Sequence, residues 1–338
     1  MITKRTELSD NQQFTWIDVR EMDRDDIVVL QDEYSITSEL LADIMDIDEQ
    51  ARIEKEDDHT IIILRLPSSE EDDDNPLERS CIPLGIVLHS DMVITICRGD
   101  SVVIDDFARH RFRSCPVDTK EGFVISILGR AALVYIRLLK YLDRQKDIVE
   151  EQLHKSIMNY ELIQLLTIQK SLVYLTTALT TNEMLLEKLQ KLPYFKLNNE
   201  DEVEFLDDVI TDNKQAIAMA NIYADILTGT MDAFASVIGN NMNVIMKRLT
   251  VISLSLMFPT FITGFFGMNI SIPGMNSPYA WIFCLALCAI VALVGFAFIS
   301  DKRNKSILKG SGFKQKKKKS PSEIKYMRRK KASLEDKD

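Results

Sequence analysis

Between residues 249 and 300 the chain carries no Asp, Glu, Lys, Arg or His. A run of that length has no charged group with which to meet water, and hydrocarbon is the medium that excludes charge. A polar segment containing Gly and Pro, GMNISIPGMNSP (267–278), divides it into 249–266 and 279–299. A helix rises about 1.5 Å per residue and the hydrocarbon layer is about 30 Å thick, so segments of 18 and 21 residues are long enough to cross. The competing possibility, a helical hairpin buried in a soluble core, seldom extends so far without a charge.

The flanks set the orientation. Lys247 and Arg248 precede the first span, Lys302, Arg303 and Lys305 follow the second, and the connecting segment is uncharged. Positive flanks stay inside, which predicts a multi-pass protein of the inner (plasma) membrane with both termini cytosolic. Tyr279 and Trp281 sit where aromatic residues anchor a helix at the outer interface. The polar start MITKRTELSD is followed by no apolar core, so no cleavable signal is expected.

Charge is partitioned along the chain. Residues 301–338 hold fifteen Lys/Arg against five Asp/Glu, and the whole chain carries −10, so residues 1–248 carry about −20. The tail's lysine run directly after a span fits anionic lipid headgroups better than nucleic acid. Five cysteines show no C-x-x-C spacing, which argues against a zinc ribbon or disulfide scaffold. The four histidines, His59, His89, His110 and His154, are scattered. No nucleophile–base spacing or P-loop is visible, so neither an enzyme nor a nucleotide-driven pump is expected, and no cofactor.

Residues 1–118 read as an α+β domain. FTWIDV (14–19), TIIILRL (60–66), CIPLGIVLH (81–89) and MVITIC (92–97) are strand-like, and SITSELLADIMD is a helix opened by a Ser cap. The loop SSEEDDDNP concentrates Glu70, Glu71, Asp72, Asp73 and Asp74, a solvated loop or a cation ligand set. From 119 to 198 two long antiparallel helices are expected, at 122–153 and 161–191. A third begins at Asn199, whose following Glu200, Asp201 and Glu202 suit the positive end of a helix dipole. Nothing stops this stalk helix before residue 266, a length of about 100 Å. Val203, Ile210, Ile217, Ala224, Met231, Ile238, Ile245 and Ile252 recur every seven positions, which predicts packing against other helices.

A second periodic set is polar or small. Asn243, Thr250, Met257 and Gly264 are spaced by seven, and so are Met246, Ser253, Thr260 and Gly267. Such a stripe serves either an axial pore in a symmetric bundle or close helix packing. Two spans per chain are too few to enclose a pore, so conduction requires self-association.

The run GNNMNVIMKRLT (239–250), Pro259-Thr260-Phe261, Gly264, and Gly267-Met268-Asn269 before an outer segment and a second span together resemble the CorA family of magnesium transporters, whose signature is the Gly-Met-Asn triplet at the end of the first of two C-terminal spans. The resemblance covers the membrane part and long helix well, and the first 118 residues only in kind. It implies a funnel-shaped homopentamer conducting magnesium, and also cobalt or nickel, into the cytosol. Gly267, Met268 and Asn269 would form the ion entry. Asn243, Met246, Leu249, Thr250, Ser253, Met257, Thr260 and Gly264 would line the pore, and Asp232 would form an inner acidic ring. Asp208 would hold regulatory magnesium together with a residue among Glu70, Glu71, Asp72, Asp73 and Asp74 of the next subunit. Many relatives carry an acidic residue in the outer segment, and ISIPGMNSP has none. A zinc-transporting branch shares the fold, although its triplet commonly has Ile in place of Met268. A membrane-anchored helical scaffold that conducts nothing accounts for the heptads and not for the triplet.

Overall fold

The nearly continuous apolar run 81–89 leaves no solvent face, and the strand it forms is buried along almost all of its length. The computed structural model describes residues 2–5, 12, 14–56, 59–69, 77–89, 91–111, 116–155, 159–197, 199–268 and 279–300. The acidic loop Glu70 to Asp74, Asn269 and the basic tail lie outside them. The chain divides into two units, Met1–Ala233 and Phe234–Asp338.

The first unit is built on a six-stranded mixed sheet. Its strands are β1 (Ile2–Arg5), β2 (Thr15–Arg20), β3 (Arg52–Glu56), β4 (His59–Pro67), β5 (Cys81–His89) and β6 (Met92–Cys97), in the spatial order β1-β2-β6-β5-β4-β3. Among the described strands only the β2–β6 pair is parallel. A parallel pair needs a crossover, supplied here by α1 (Arg24–Tyr34), α2 (Ser38–Met45) and the β3–β5 meander. The helices α1 and α2 cover one face, where Leu30, Leu40, Leu41 and Ile44 pack on Ile17, Val19, Ile61, Ile63, Val87, Ile94 and Ile96. Gly85 is required there, because a Cβ would come within 2.2 Å of Ile44 Cδ1. Thr37 caps α2 by accepting from the Leu40 amide; the Ser expected to do so, Ser35, instead closes α1 in the left-handed conformation (φ 54°).

The opposite face meets α3 (Val102–Ala108), α4 (Lys120–Lys155) and α5 (Asn159–Lys191). Phe123 of α4 touches the rings of Phe14, Trp16 and Phe107 at 5.3–5.5 Å. β3 pairs with β4 only as far as Ile63, leaving the end of β4 with an open edge. Asn182 of α5 takes the place of a strand there: the Arg65 amide donates to its Oδ1 (2.9 Å), and its Nδ2 donates to the Arg65 carbonyl (2.8 Å). Tyr135 Oη donates to the same carbonyl (3.0 Å).

The helix α6 (Glu200–Phe266) starts within this unit. Buried Glu202 accepts from Thr119 Oγ1 (2.6 Å), the same oxygen that receives the Gly122 amide, so one hydroxyl ties the start of α4 to the start of α6. Leu206, Val209, Asn213, Ala216, Ala220, Leu227 and Phe234 form the buried face, and Asn213 Nδ2 donates to the Leu179 carbonyl (3.0 Å). The seven-residue column read from the sequence is the neighbouring face, with Val203 48 % and Ile245 57 % exposed. Between Phe234 and Asp338 the described elements are the rest of α6 and α7 (Ala280–Ser300).

Candidate ion pathway

Among the described residues, three helical segments are long and apolar enough to cross a membrane: Lys120–Leu153, Tyr160–Lys191 and Glu200–Phe266. Burial separates them. The apolar window of the first is 78 % buried against the sheet and its helices, whereas none of the window in α6 is buried. The apolarity of α4 is thus spent inside the protein, and that of α6 faces outward. The Trp281–Val291 stretch of α7 is apolar as well.

Contact with α7 fixes which face of α6 is which. Cys288 Sγ reaches the Pro259 carbonyl at 3.9 Å. The partly buried residues Val251, Ser255, Pro259, Ile262 and Phe266 of α6 share that side, and Leu287, Cys288 and Val291 are the partly buried residues described in α7. At about 100° per residue, these α6 positions cluster around a direction about 40° to one side of Pro259. Asn243, Met246, Thr250, Ser253, Met257, Thr260 and Gly264 cluster about 180° away, with Leu249 at the stripe's margin. All eight are exposed in the single chain. The stripe therefore lies on the face diametrically opposite α7.

Its chemistry is that of acceptors with their protons already placed. Thr250 Oγ1 donates to the Met246 carbonyl and Thr260 Oγ1 to the Leu256 carbonyl, both at 2.8 Å. Each hydroxyl satisfies its hydrogen on its own helix and presents lone pairs outward. Such oxygens can receive hydrogen bonds from the water shell of a cation. Met257 (65 % exposed) and Leu249 (56 %) interrupt them with surfaces that bind water poorly.

At the end of α6, Gly267 N bonds the Thr263 carbonyl (2.9 Å) and Met268 N the Phe265 carbonyl (3.4 Å), so the triplet begins as the helix terminates. Asn269, its third member, lies outside the described residues. Asp208 and Asp232 are both exposed on α6. The neighbour of Asp208, Asp207, is engaged by Gln190 Nε2 (2.9 Å). The carboxylates expected opposite Asp208, Glu70 to Asp74, fall outside the described residues, and among those described no set of three or more His, Cys, Asp or Glu converges to hold a metal ion. One sequence reading needs amendment: His59 and His89, thirty positions apart, are not scattered but adjacent, their ring centroids 4.5 Å apart. Only the strand register reveals this.

Comparison with known proteins bears on the whole chain. Residues 11–303 match the model of the CorA-like Mg2+ transporter protein family. The cobalt/magnesium transport protein CorA of Methanocaldococcus jannaschii is 28 % identical over 289 residues, covering 84 % of this chain and 89 % of that protein. The protein of the same name from Thermotoga maritima is 23 % identical over 295 residues, covering 86 % and 83 %. The complete structure of the CorA magnesium transporter from M. jannaschii superimposes with a TM-score of 0.73 at 25 % identity, covering 86 % of this chain and 91 % of that one. A family match over nearly the full length, a shared fold and a Gly-Met-Asn triplet directly after the charge-free segment 249–266 agree, and the chain belongs to the CorA-like Mg2+ transporter family.

Proposed function

We propose that copies of this chain assemble as a homopentamer in the inner membrane, both termini cytosolic, and that α6 from each copy lines an axial channel carrying magnesium, and also cobalt or nickel, into the cytosol. The observation that carries this reading is the placement of the small and polar stripe opposite α7: with α7 on the outside, the stripe is the face that copies of α6 turn toward a common axis. Magnesium loses its water reluctantly. Neutral amide and hydroxyl oxygens bond that shell without gripping the ion, so passage stays possible. Gly267, Met268 and Asn269 form the outer entry, Asn243, Met246, Thr250, Ser253, Thr260 and Gly264 the lining, and Met257 and Leu249 a constriction that closes by dewetting. Asp232 forms an inner acidic ring. Asp208, with an acidic residue of the neighbouring subunit, binds regulatory magnesium.

The membrane potential supplies the drive. Two charges crossing about 100 mV gain about 4.6 kcal/mol, so no nucleotide is needed.

The stripe's exposure to water is testable by thiol labelling. Cys81 and Cys97 are buried and their thiols are pushed up to about 11 by that burial, so they stay unreactive. With Cys115, Cys284 and Cys288 replaced, single cysteines are placed at stripe and α7-facing positions. Thr260→Cys and Ser253→Cys react with a charged reagent and are protected by magnesium, while Ser255→Cys and Ile262→Cys do not react. Equal labelling of both sets overturns the assignment.

A further inference from the structure

The sheet face beneath α1 and α2 is aliphatic from Ile17 through Ile63, Val87 and Ile94, but its last row is different. The register pairs Glu56 with His59 and His89 with Met92, and the Thr60–Leu88 pair brings His59 beside His89. Directly opposed residues of an antiparallel pair share a face, so Glu56, His59, His89 and Met92 stand side by side across four strands, one step beyond Ile61, Val87 and Ile94. The two imidazoles touch, with centroids 4.5 Å apart and planes tilted by 40°. His89 Nδ1 is buried with no hydrogen-bond partner among the described residues. The nearby Lys120 Nζ donates to the His89 backbone carbonyl (3.2 Å). Met92 packs against the core on one side, and exposed Glu56 stands on the solvent side.

A buried nitrogen left without a partner costs free energy, and the second imidazole, in ring-to-ring contact, does not supply the missing hydrogen bond. We infer that His59 and His89 are the protein ligands of a binding site for a borderline transition ion of the Co2+, Ni2+ or Zn2+ class, separate from the α6 stripe. Neutral imidazoles favour these ions, whereas Mg2+ prefers oxygen donors and its own water. With no third His, Cys, Asp or Glu converging among the described residues, water completes the coordination shell. Glu56, next in the row, adds negative charge toward the solvent side. The site rests on the sheet register and is independent of the transport reading.

The test uses the full chain in detergent, stripped of metal and kept in excess Mg2+ so that oxygen-donor sites are filled. Co2+ is then titrated by calorimetry and visible absorbance. The parent binds a single Co2+ per chain that Mg2+ does not displace. His59→Phe and His89→Phe keep an aromatic pair, hence the fold, and weaken that binding by about tenfold or more, at least the loss that an outer-shell partner of a metal site produces. Asp208→Ala leaves it unchanged. Co2+ binding by both Phe variants equal to the parent's, or its displacement by Mg2+, overturns the site.

Discussion

Asn182 illustrates how much one side chain can decide. Its amide substitutes for a missing strand along β4, satisfying the Arg65 N–H and sharing its carbonyl with Tyr135. Asn182→Ala leaves the amide without its partner in a buried setting, which costs about 1–3 kcal/mol. Thermal unfolding of the full chain followed by circular dichroism therefore shifts to lower temperature. Asn182→Asp, which keeps the acceptor for the N–H, falls between the two, and a midpoint unchanged in Asn182→Ala contradicts the role. No motif marks this residue in the sequence: an Asn inside a long helix carries no sign of the strand it will meet. The contact of His59 with His89 was hidden for the same reason, since it depends on register between strands and not on spacing along the chain.

Among the elements, those with unbroken apolar runs were legible. β5 and β6 coincide with CIPLGIVLH and MVITIC, and the long helices begin and end within a few residues of their expected bounds. The helix α1 and strand β3 were not read. α1 buries only Leu30 completely, so its apolar periodicity is faint, and β3, RIEKE, is a charged edge strand with one buried residue, which resembles a loop. In α6 the helix was legible and its packed face was not. The buried face contains Ala216, Ala220 and the polar Asn213, which count little toward an apolar column, while the more conspicuous Val203, Ile245 and Ile252 remain exposed. The stripe from Asn243 to Gly264 was visible as a pattern but ambiguous between a pore and close packing. What resolves its orientation is the position of α7, a relation between two helices that a periodic pattern in one helix does not contain.

For the whole molecule, charge is the organising quantity. Residues 1–248 carry about −20, and in the proposed pentamer five such bodies would repel one another. In the proposed mechanism, magnesium bound at Asp208 between neighbours would relieve that repulsion and favour a symmetric closed state, and its loss would loosen the bodies and open the path. Asp208→Ala channels accordingly remain active at internal magnesium that shuts the parent, and inhibition as strong as the parent's rules this mechanism out. The central claim, that magnesium passes along α6 from an entrance at Asn269, is tested most directly by magnesium uptake into liposomes holding the purified chain under an inside-negative potential. The account predicts uptake that rises with the potential and disappears in an Asn269→Ala protein of unchanged assembly. Absence of uptake by the parent, or undiminished uptake by Asn269→Ala, contradicts it.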